Sequence, residues 1–376
     1  MDATATAYIS RRPAAAFVGM GLCWGAYAAY VPEIKAAAGV GDAVFGTILS
    51  LSAMGLFTAM WLAPWLDKKF GRRGMAWGTV LLGICFLLPG VSSSPLSLAL
   101  AMLAVALASG ILDIVMNARV SELEARYNRS MMNFNHAMFS FAYAAGALIA
   151  GVGRGLHAPA IAVFLILLII LLGMSFVMRM PRVPGRKSGE ARPRLPLNVI
   201  IPGGLIVMVA FSVEGATEAW SALHIERTLG GAPTEGALGP AMLGLTMGIG
   251  RYGGQILSSR MPDRLLLVLA SLMASVGALM AAWASVPWIA YAGFATLGLG
   301  ISVVAPTALA LTGRRIPPHD RTFAISRVAV IGFAGFFIGP PAMGIISEFG
   351  SLRISYVIVA LAALLVIPLT RLLRPS

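Results

Sequence analysis

Long apolar stretches alternate with short polar breaks along the whole chain. Each stretch holds about 20 residues, the length that a helix needs to cross the hydrocarbon core of a bilayer. The breaks are too short to fold as separate domains. The pattern predicts an all-α membrane protein with twelve transmembrane helices, at about 13–35, 43–66, 75–92, 96–118, 131–153, 158–178, 202–223, 237–258, 264–284, 288–311, 323–347 and 353–373.

One connection is longer than the others. Residues 180–198 are basic and contain several prolines, which predicts a flexible cytoplasmic linker. It separates a predicted N-terminal six-helix bundle, 1–179, from a predicted C-terminal six-helix bundle, 199–376. The halves also repeat, because the fifth and eleventh spans carry glycine pairs at the same spacing: Gly146 with Gly151, and Gly339 with Gly344. We therefore expect the two bundles to be pseudo-symmetric.

The composition excludes a soluble protein. Hydrophobic residues make up 58% of the chain and charged residues 11%, with a mean hydropathy of +0.85, whereas soluble domains carry about a quarter charged residues. Arg11 and Arg12 precede the first apolar stretch and no small-residue cleavage site follows it, so we expect an uncleaved first span. Cys23 and Cys85 both lie within spans, which indicates neither a disulfide nor a metal cluster.

The net charge of +13 is unevenly distributed. With twelve spans and both termini inside, four cations fall on the outer side, Arg251 lies within a span, and the rest of the 28 Lys and Arg lie inside. The four outer cations are Lys35, Arg154, Arg227 and Arg353. This asymmetry follows the positive-inside rule, so the basic charge reports orientation and not a nucleic-acid partner. It predicts a multi-pass membrane protein with both termini cytoplasmic.

The loop between the second and third spans is short and basic. It reads Ala-Pro-Trp-Leu-Asp-Lys-Lys-Phe-Gly-Arg-Arg over 63–73, with Asp67 as its one acid. That acid is suited to capping a helix or pairing with an arginine across the bundle. A loop that only stops transfer and sets topology is the alternative interpretation.

This loop resembles the signature of the major facilitator superfamily, G-x-x-x-D-[RK]-x-G-R-[RK]. The chain departs from it by Ala63 in place of the first glycine and by one extra residue between Asp67 and the following glycine. The resemblance implies two six-helix bundles with a substrate site between them. It also implies an inner gate formed by Asp67 and Arg327, with Arg72 and Arg73 of the same loop.

Polar side chains in the fourth and fifth spans form a candidate site. Asp113 and Asn117 lie one turn apart on one helix face. Asp113 is ~9 Å from the inner surface by helical rise, and His136 lies at a similar depth. An acid, an amide and an imidazole at one level suit proton or substrate handling, and a hydrogen-bonded network that only locks two helices is the alternative. The fifth-span candidates for substrate contact are Asn133, Ser140 and Tyr143.

The seventh and eighth spans supply a second group. Glu214 and Glu218 lie one turn apart, and Glu218 is near enough to the outer end for solvation to explain it. Arg251 is a lone cation within a span, where a charge costs roughly 2.5–3.5 kcal/mol on insertion scales. It is suited to neutralising Glu214, Asp113 or an anionic substrate. By rise, Arg251 lies ~13 Å and Glu214 ~18–20 Å from the inner surface, which argues against a direct pair.

The first span contributes Trp24 and Tyr27, which either belong to an interfacial aromatic belt or line a cavity. The local sequence motifs around Trp24, Asp113, His136 and Glu214, taken together, resemble those of a bacterial branch of the superfamily. That branch is grouped by similarity with sugar permeases such as the fucose–proton symporters. The branch-level resemblance implies a protein of the bacterial inner (cytoplasmic) membrane, and it implies no particular substrate.

The chain contains no phosphate-binding loop, metalloprotease motif or nucleophile elbow, so we expect no enzyme and no cofactor. The predicted function is proton-coupled uptake of a small polar solute by alternating access. Asp113, Glu214 and His136 are the predicted proton-coupling residues, and the predicted substrate contacts are Trp24, Tyr27, Asn117, Asn133, Ser140, Tyr143, Glu218 and Arg251.

The expected partners are a small-molecule substrate, protons and the lipid bilayer, with no nucleic acid, and the chain is expected to work as a monomer. A proton-driven drug or metabolite exporter is the alternative within the superfamily. Such exporters carry G-x-x-x-G-P in the fifth span, where this chain has Ala147 after Gly146. A transport-inactive membrane sensor or scaffold is the alternative from another class.

Overall fold

The computed structural model describes residues 3–181, 196–258, 260–317 and 320–373, and all regular secondary structure in these ranges is helical. Most of the predicted linker, 182–195, lies outside the described residues. The α-helices are α1 (Ala3–Ala37), α2 (Asp42–Phe70), α3 (Gly74–Leu87), α4 (Pro95–Tyr127), α5 (Met132–Gly155), α6 (Ala160–Ser175), α7 (Leu197–Leu223), α8 (Pro233–Ser258), α9 (Asp263–Trp283), α10 (Pro287–Ile301), α11 (Val304–Gly313), α12 (Arg321–Phe333), α13 (Gly335–Phe349), α14 (Leu352–Leu364) and α15 (Val366–Leu372).

These helices match the twelve predicted spans. The last three spans are each broken into two helices, α10 with α11, α12 with α13, and α14 with α15. In the described residues, nine stretches are long and apolar enough to cross a membrane. One of them, Asp42–Val91, contains two predicted spans, and α6 is apolar but shorter. The remaining span is α8, where glycines and Arg251 lower the hydropathy.

The tight turn predicted after the second span is present. Helix α2 ends at Phe70. The residue that follows it, Gly71, has a φ of 52°, which lies in the left-handed region that favours glycine. A short 3₁₀ turn, Gly71–Arg73, then leads directly into α3. A glycine at this position therefore allows two long helices to reverse direction within a few residues.

The surface of the helices is apolar. The side chain of Trp61 is 88% exposed, and those of Phe176 and Ile169 are 71% and 68% exposed. Soluble monomers rarely expose contiguous apolar surface of this kind, whereas lipid covers it without cost. The exposed apolar side chains therefore mark a lipid-facing surface.

The N-terminal half meets the C-terminal half mainly where α2 packs on α13 and where α5 packs on α8, and α1 also contacts α7 and α8. Glycines allow this close approach. A Cβ atom at Gly46 would lie 2.8 Å from Cα of Pro341, and one at Gly244 would lie 2.6 Å from Cδ1 of Tyr143. This close packing brings polar side chains of the two halves together.

Candidate functional site: a mid-membrane ion pair and an outer gate

Arg251 and Glu214 form an ion pair deep in the bundle. The guanidinium donates a hydrogen bond from Nη2 to Oε1 of Glu214 at 2.8 Å, and both side chains are 10% exposed. The argument from helical rise against a direct pair is wrong. Rise gives only the position of each Cα along its own helix, whereas the long arginine side chain covers the remaining separation. The pair joins α7 to α8 within the C-terminal half.

The same arginine also reaches the N-terminal half. Its Nη1 donates to Oγ of Ser140 on α5 at 2.5 Å. His136, one turn earlier on α5, lies close enough to interact with the charge of Arg251, and its ring packs edge-on against Phe17 at 5.0 Å between centroids. Arg251 is therefore a mid-membrane contact between the halves.

Glu218 and Tyr143 lie beside this pair. Glu218 is one turn beyond Glu214 on α7, and its carboxylate interacts electrostatically with Glu214 and Arg251. Tyr143 is 2% exposed, and its hydroxyl has no hydrogen-bond partner among the residues that the structure describes. Its backbone contacts Gly25 on α1, so the tyrosine is held between α1 and α8. A partly buried carboxylate of one half and a buried phenol of the other half thus lie within electrostatic range of each other.

The polar residues of α4 form a separate group. Asn117 Nδ2 donates to the carboxylate of Asp113 at 2.9 Å and to its carbonyl oxygen at 2.8 Å. One turn earlier, Ser109 accepts a hydrogen bond from Nε1 of Trp24 at 3.1 Å. The Ser109 contact joins α4 to α1 one turn from Asp113, whereas Asp113 itself bonds to Asn117 of its own helix. These contacts do not connect Asp113 to His136, and the predicted meeting of acid, amide and imidazole stays a prediction.

Trp24 and Tyr27 pack inside the N-terminal half. Their rings are perpendicular, with centroids 5.7 Å apart, and Trp24 also meets Phe86 at 5.3 Å. Tyr27 is 3% exposed and its hydroxyl has no partner within the described part of the chain. Both residues are thus internal, and not parts of an exposed belt. Asn133 is partly buried in the first turn of α5.

An arginine cluster closes the end of the bundle that the charge distribution predicts to be the outer end. Arg154 at the end of α5 is only 3% exposed. It donates to Glu226 of the C-terminal half at 2.6 and 3.0 Å and to the carbonyl oxygen of Pro233 at 3.0 Å. Within its own half it donates to Glu33 at 2.8 Å and to the carbonyl oxygen of Ala29 at 2.9 Å.

A second cluster at the same end surrounds Asp42, the first residue of α2. Its side chain is 2% exposed and accepts hydrogen bonds from Arg227 at 2.6 and 3.0 Å and from Ser347 at 2.5 Å. Lys35 adds an ion pair at 2.9 Å. Glu348 accepts from the backbone N–H of Asp42 at 2.6 Å. We call the contacts of Arg154 and Asp42 across the two halves the outer gate.

The predicted inner-gate residues lie at the opposite end. Asp67 pairs with Arg119 of α4 at 2.6 Å, and Arg119 also pairs with Glu122 at 3.0 Å. Arg327 on α12 lies over the ring of Phe323 at 4.8 Å. Arg72 and Arg73 are exposed in the turn after α2. The Asp67–Arg327 gate stays a prediction for the alternative state.

Sequence reasoning missed the partners that build the gate. The sequence predicts that Arg154 lies on the outer side, but it indicates no functional role for Arg154. It also indicates no role for Glu226, Asp42 or Arg119. The available signal was a cation or acid at the very end of an apolar helix, where solvation also explains it. Burial of Arg154 and Asp42 separates the two explanations, and burial is a tertiary property.

Comparison with known proteins agrees with this architecture. The chain matches the sequence profile of the Major Facilitator Superfamily over residues 14–290 and 203–376. A protein of Yersinia pestis described as an uncharacterised MFS-type transporter is 29% identical over 365 residues, which cover 95% of this chain and 93% of that protein.

Two solved structures share the fold. A bacterial homologue of the human lysosomal transporter Spinster, in an inward-facing and occupied conformation, has a TM-score of 0.79 at 14% identity, covering 98% of this chain and 96% of that one. The Escherichia coli fucose:proton symporter has a TM-score of 0.64 at 16% identity, with 98% of both chains covered.

This chain belongs to the major facilitator superfamily. It is a multi-pass membrane transporter for a small-molecule substrate, and not an enzyme. The predicted all-α fold of two six-helix bundles is thereby confirmed.

Proposed function

We propose that the protein is a proton-coupled secondary transporter that takes up a small polar solute by alternating access. One observation carries the proposal: Arg251, which lies within a membrane-spanning helix, binds Glu214 in its own half and Ser140 in the other half. An ion pair within a bilayer is costly, and its usual reason is a substrate or ion pathway. A contact that spans the two halves is also broken or remade whenever the halves rock.

The outer gate supports the alternating-access part. Its ion pairs, Arg154 with Glu226 and Asp42 with Arg227, join the halves at one end of the bundle. A state closed at that end has its substrate route at the other end. In the opposite state, the Asp67 loop and Arg327 are proposed to close the inner end.

The side chains around Arg251 support a polar solute. Ser140, Tyr143 and Glu218 lie beside it, and Asp113 with Asn117 lies on α4. The hydroxyls of Tyr27 and Tyr143 are buried without partners in the described residues, so a bound solute would satisfy them. Trp24, Asn133 and His136 complete the proposed lining.

A transport assay tests the proposal. Purified protein is screened for thermal stabilisation by a panel of sugars, polyols, amines and organic acids, and a stabilising solute is then used in labelled form with proteoliposomes. We expect accumulation with an imposed pH gradient and none after an uncoupler is added. Glu235→Gln is the control, because Glu235 only accepts from the backbone of Ala232 at the outer end. Accumulation that ignores the uncoupler would refute proton coupling, and absence of counterflow for every stabilising solute would refute transport.

A further inference from the structure

The charges around Arg251 do not balance. Its guanidinium is committed to Glu214 and to Ser140 of the other half. Glu218 lies one turn away on α7 and has no hydrogen bond or ion pair with any residue that the structure describes. When both glutamates are ionised, the cluster therefore carries one excess negative charge inside the bundle.

The neighbours of Glu218 supply no second cation. Glu214 is on its own helix, Arg251 is on α8, and Tyr143 is on α5. Tyr356 of α14 lies within electrostatic range of Tyr143, and its hydroxyl is also buried without a partner in the described ranges. The immediate neighbours of Glu218 are therefore one phenol, one acid and one cation that is already paired.

The other helices packed against α7 place their charged groups near the two ends of the bundle. On α13, Glu348 binds the backbone of Asp42, and on α14, Arg353 donates to the carbonyl oxygen of Ala282. The remaining charged groups on these helices, including the π-helical turn that continues α7, are Arg11, Arg12, Glu33, Lys35, Glu226, Arg227, Glu235, Arg321, Arg327 and Arg371. Glu218 is therefore the acid of this cluster that lacks a counter-ion.

We propose that Glu218 binds the coupling proton and that Glu214 is the permanent counter-ion of Arg251. This assignment rests on the function proposed above. It differs from the sequence-based prediction, in which Glu214 is a proton-coupling residue and Glu218 is a substrate contact. An unpaired carboxylate in an apolar interior is costly, and one proton converts it to a neutral acid. The cluster is then electrically neutral while the halves move.

The order of acidic residues along α7 and the π-helical turn that continues it supports this assignment. Glu214, Glu218 and Glu226 follow one another from the ion pair to the outer gate, and Glu218 lies ~12 Å below Glu226 by helical rise. When the outer gate opens, a proton from the outer side reaches Glu218 before it reaches Glu214. The carboxylate binds it, and releases it to the inner side after the outer gate has closed.

Infrared spectroscopy of the purified protein in liposomes tests the proposal with protons as the only ligand. The buffer is stepped from mildly acidic to mildly alkaline while the C=O band of protonated carboxyl groups is recorded. We expect a band that disappears on alkalinisation in the wild type and that is absent from Glu218→Gln. In Glu214→Gln, Arg251 loses its carboxylate partner and is left to Glu218, so the band should disappear at a lower pH than in the wild type. Glu218→Asp keeps a carboxyl group and should restore a titrating band at a different frequency.

The outcomes separate this inference from the proposed function. A titrating band that persists in Glu218→Gln would overturn the assignment even if uptake follows the pH gradient. A wild-type protein with no titrating band would overturn both the assignment and proton coupling. Melting temperatures of the variants show that each is folded, and Glu218→Asp provides the signal if the glutamine variant does not fold.

Discussion

Arg154 offers the sharpest test of the outer gate. We predict that Arg154→Gln shifts the protein toward a state that is open at the outer end. The substitution leaves Glu226 of the other half without its cation and removes the bond to the carbonyl oxygen of Pro233. The contacts to Glu33 and Ala29 lie within the N-terminal half, so they persist when the halves separate and contribute little to the difference.

The magnitude follows from burial. Removing one partner of a buried ion pair costs about 3–5 kcal/mol. The side chain of Arg154 is 1% exposed but that of Glu226 is 15% exposed, so we take the lower end of this range. About 3 kcal/mol corresponds to roughly a 100-fold change in the ratio of closed to open states.

Thiol accessibility measures this ratio. Ala237 on α8 is 1% exposed and faces Gly151 on α5 at the outer end. In a background with Cys23→Ala and Cys85→Ala, the Ala237→Cys side chain becomes accessible only when α5 and α8 separate. We expect a membrane-impermeant thiol reagent to label it at least about tenfold faster when Arg154→Gln is added.

Arg353→Gln is the matched control. Arg353 also lies at the outer end, but it donates to the carbonyl oxygen of Ala282 within the C-terminal half. Its removal should leave the labelling rate unchanged. Equal rates for the Arg154 and Arg353 variants, or slower labelling of the Arg154 variant, would refute the idea that contacts across the halves hold the outer end closed.

Three further predictions follow from particular contacts. Asp42→Asn weakens the second outer-gate cluster and should also accelerate labelling at the outer end; an unchanged rate would limit the gate to the Arg154 cluster. Gly244→Ala should lower the melting temperature, because its Cβ would lie 2.6 Å from a Tyr143 ring atom and overpacking costs about 1–3 kcal/mol. Gly253→Ala, with no atom within 4 Å, is the control, and equal melting temperatures would refute tight packing of α5 on α8. Trp24→Phe loses the hydrogen bond to Oγ of a serine on α4 and should reduce stability by about 1 kcal/mol, measured by denaturant unfolding.

The sequence by itself determined the architecture. Runs of about 20 apolar residues must form spanning helices, because lipid offers no partner for backbone N–H and C=O groups. The unequal distribution of Lys and Arg predicted one orientation. These properties are local or additive, so they are legible without knowledge of which helices meet.

Only the tertiary structure decided the partners of the charged groups. Arg251 selects Glu214 and Ser140, although helical rise argued against the first contact. Arg154 binds Glu33 and Glu226, which are far from it and from each other in the chain. Periodicity places a side chain on a helix face, but the tilt and packing of helices and the reach of long side chains decide which groups meet. Those properties emerge only when both halves are assembled.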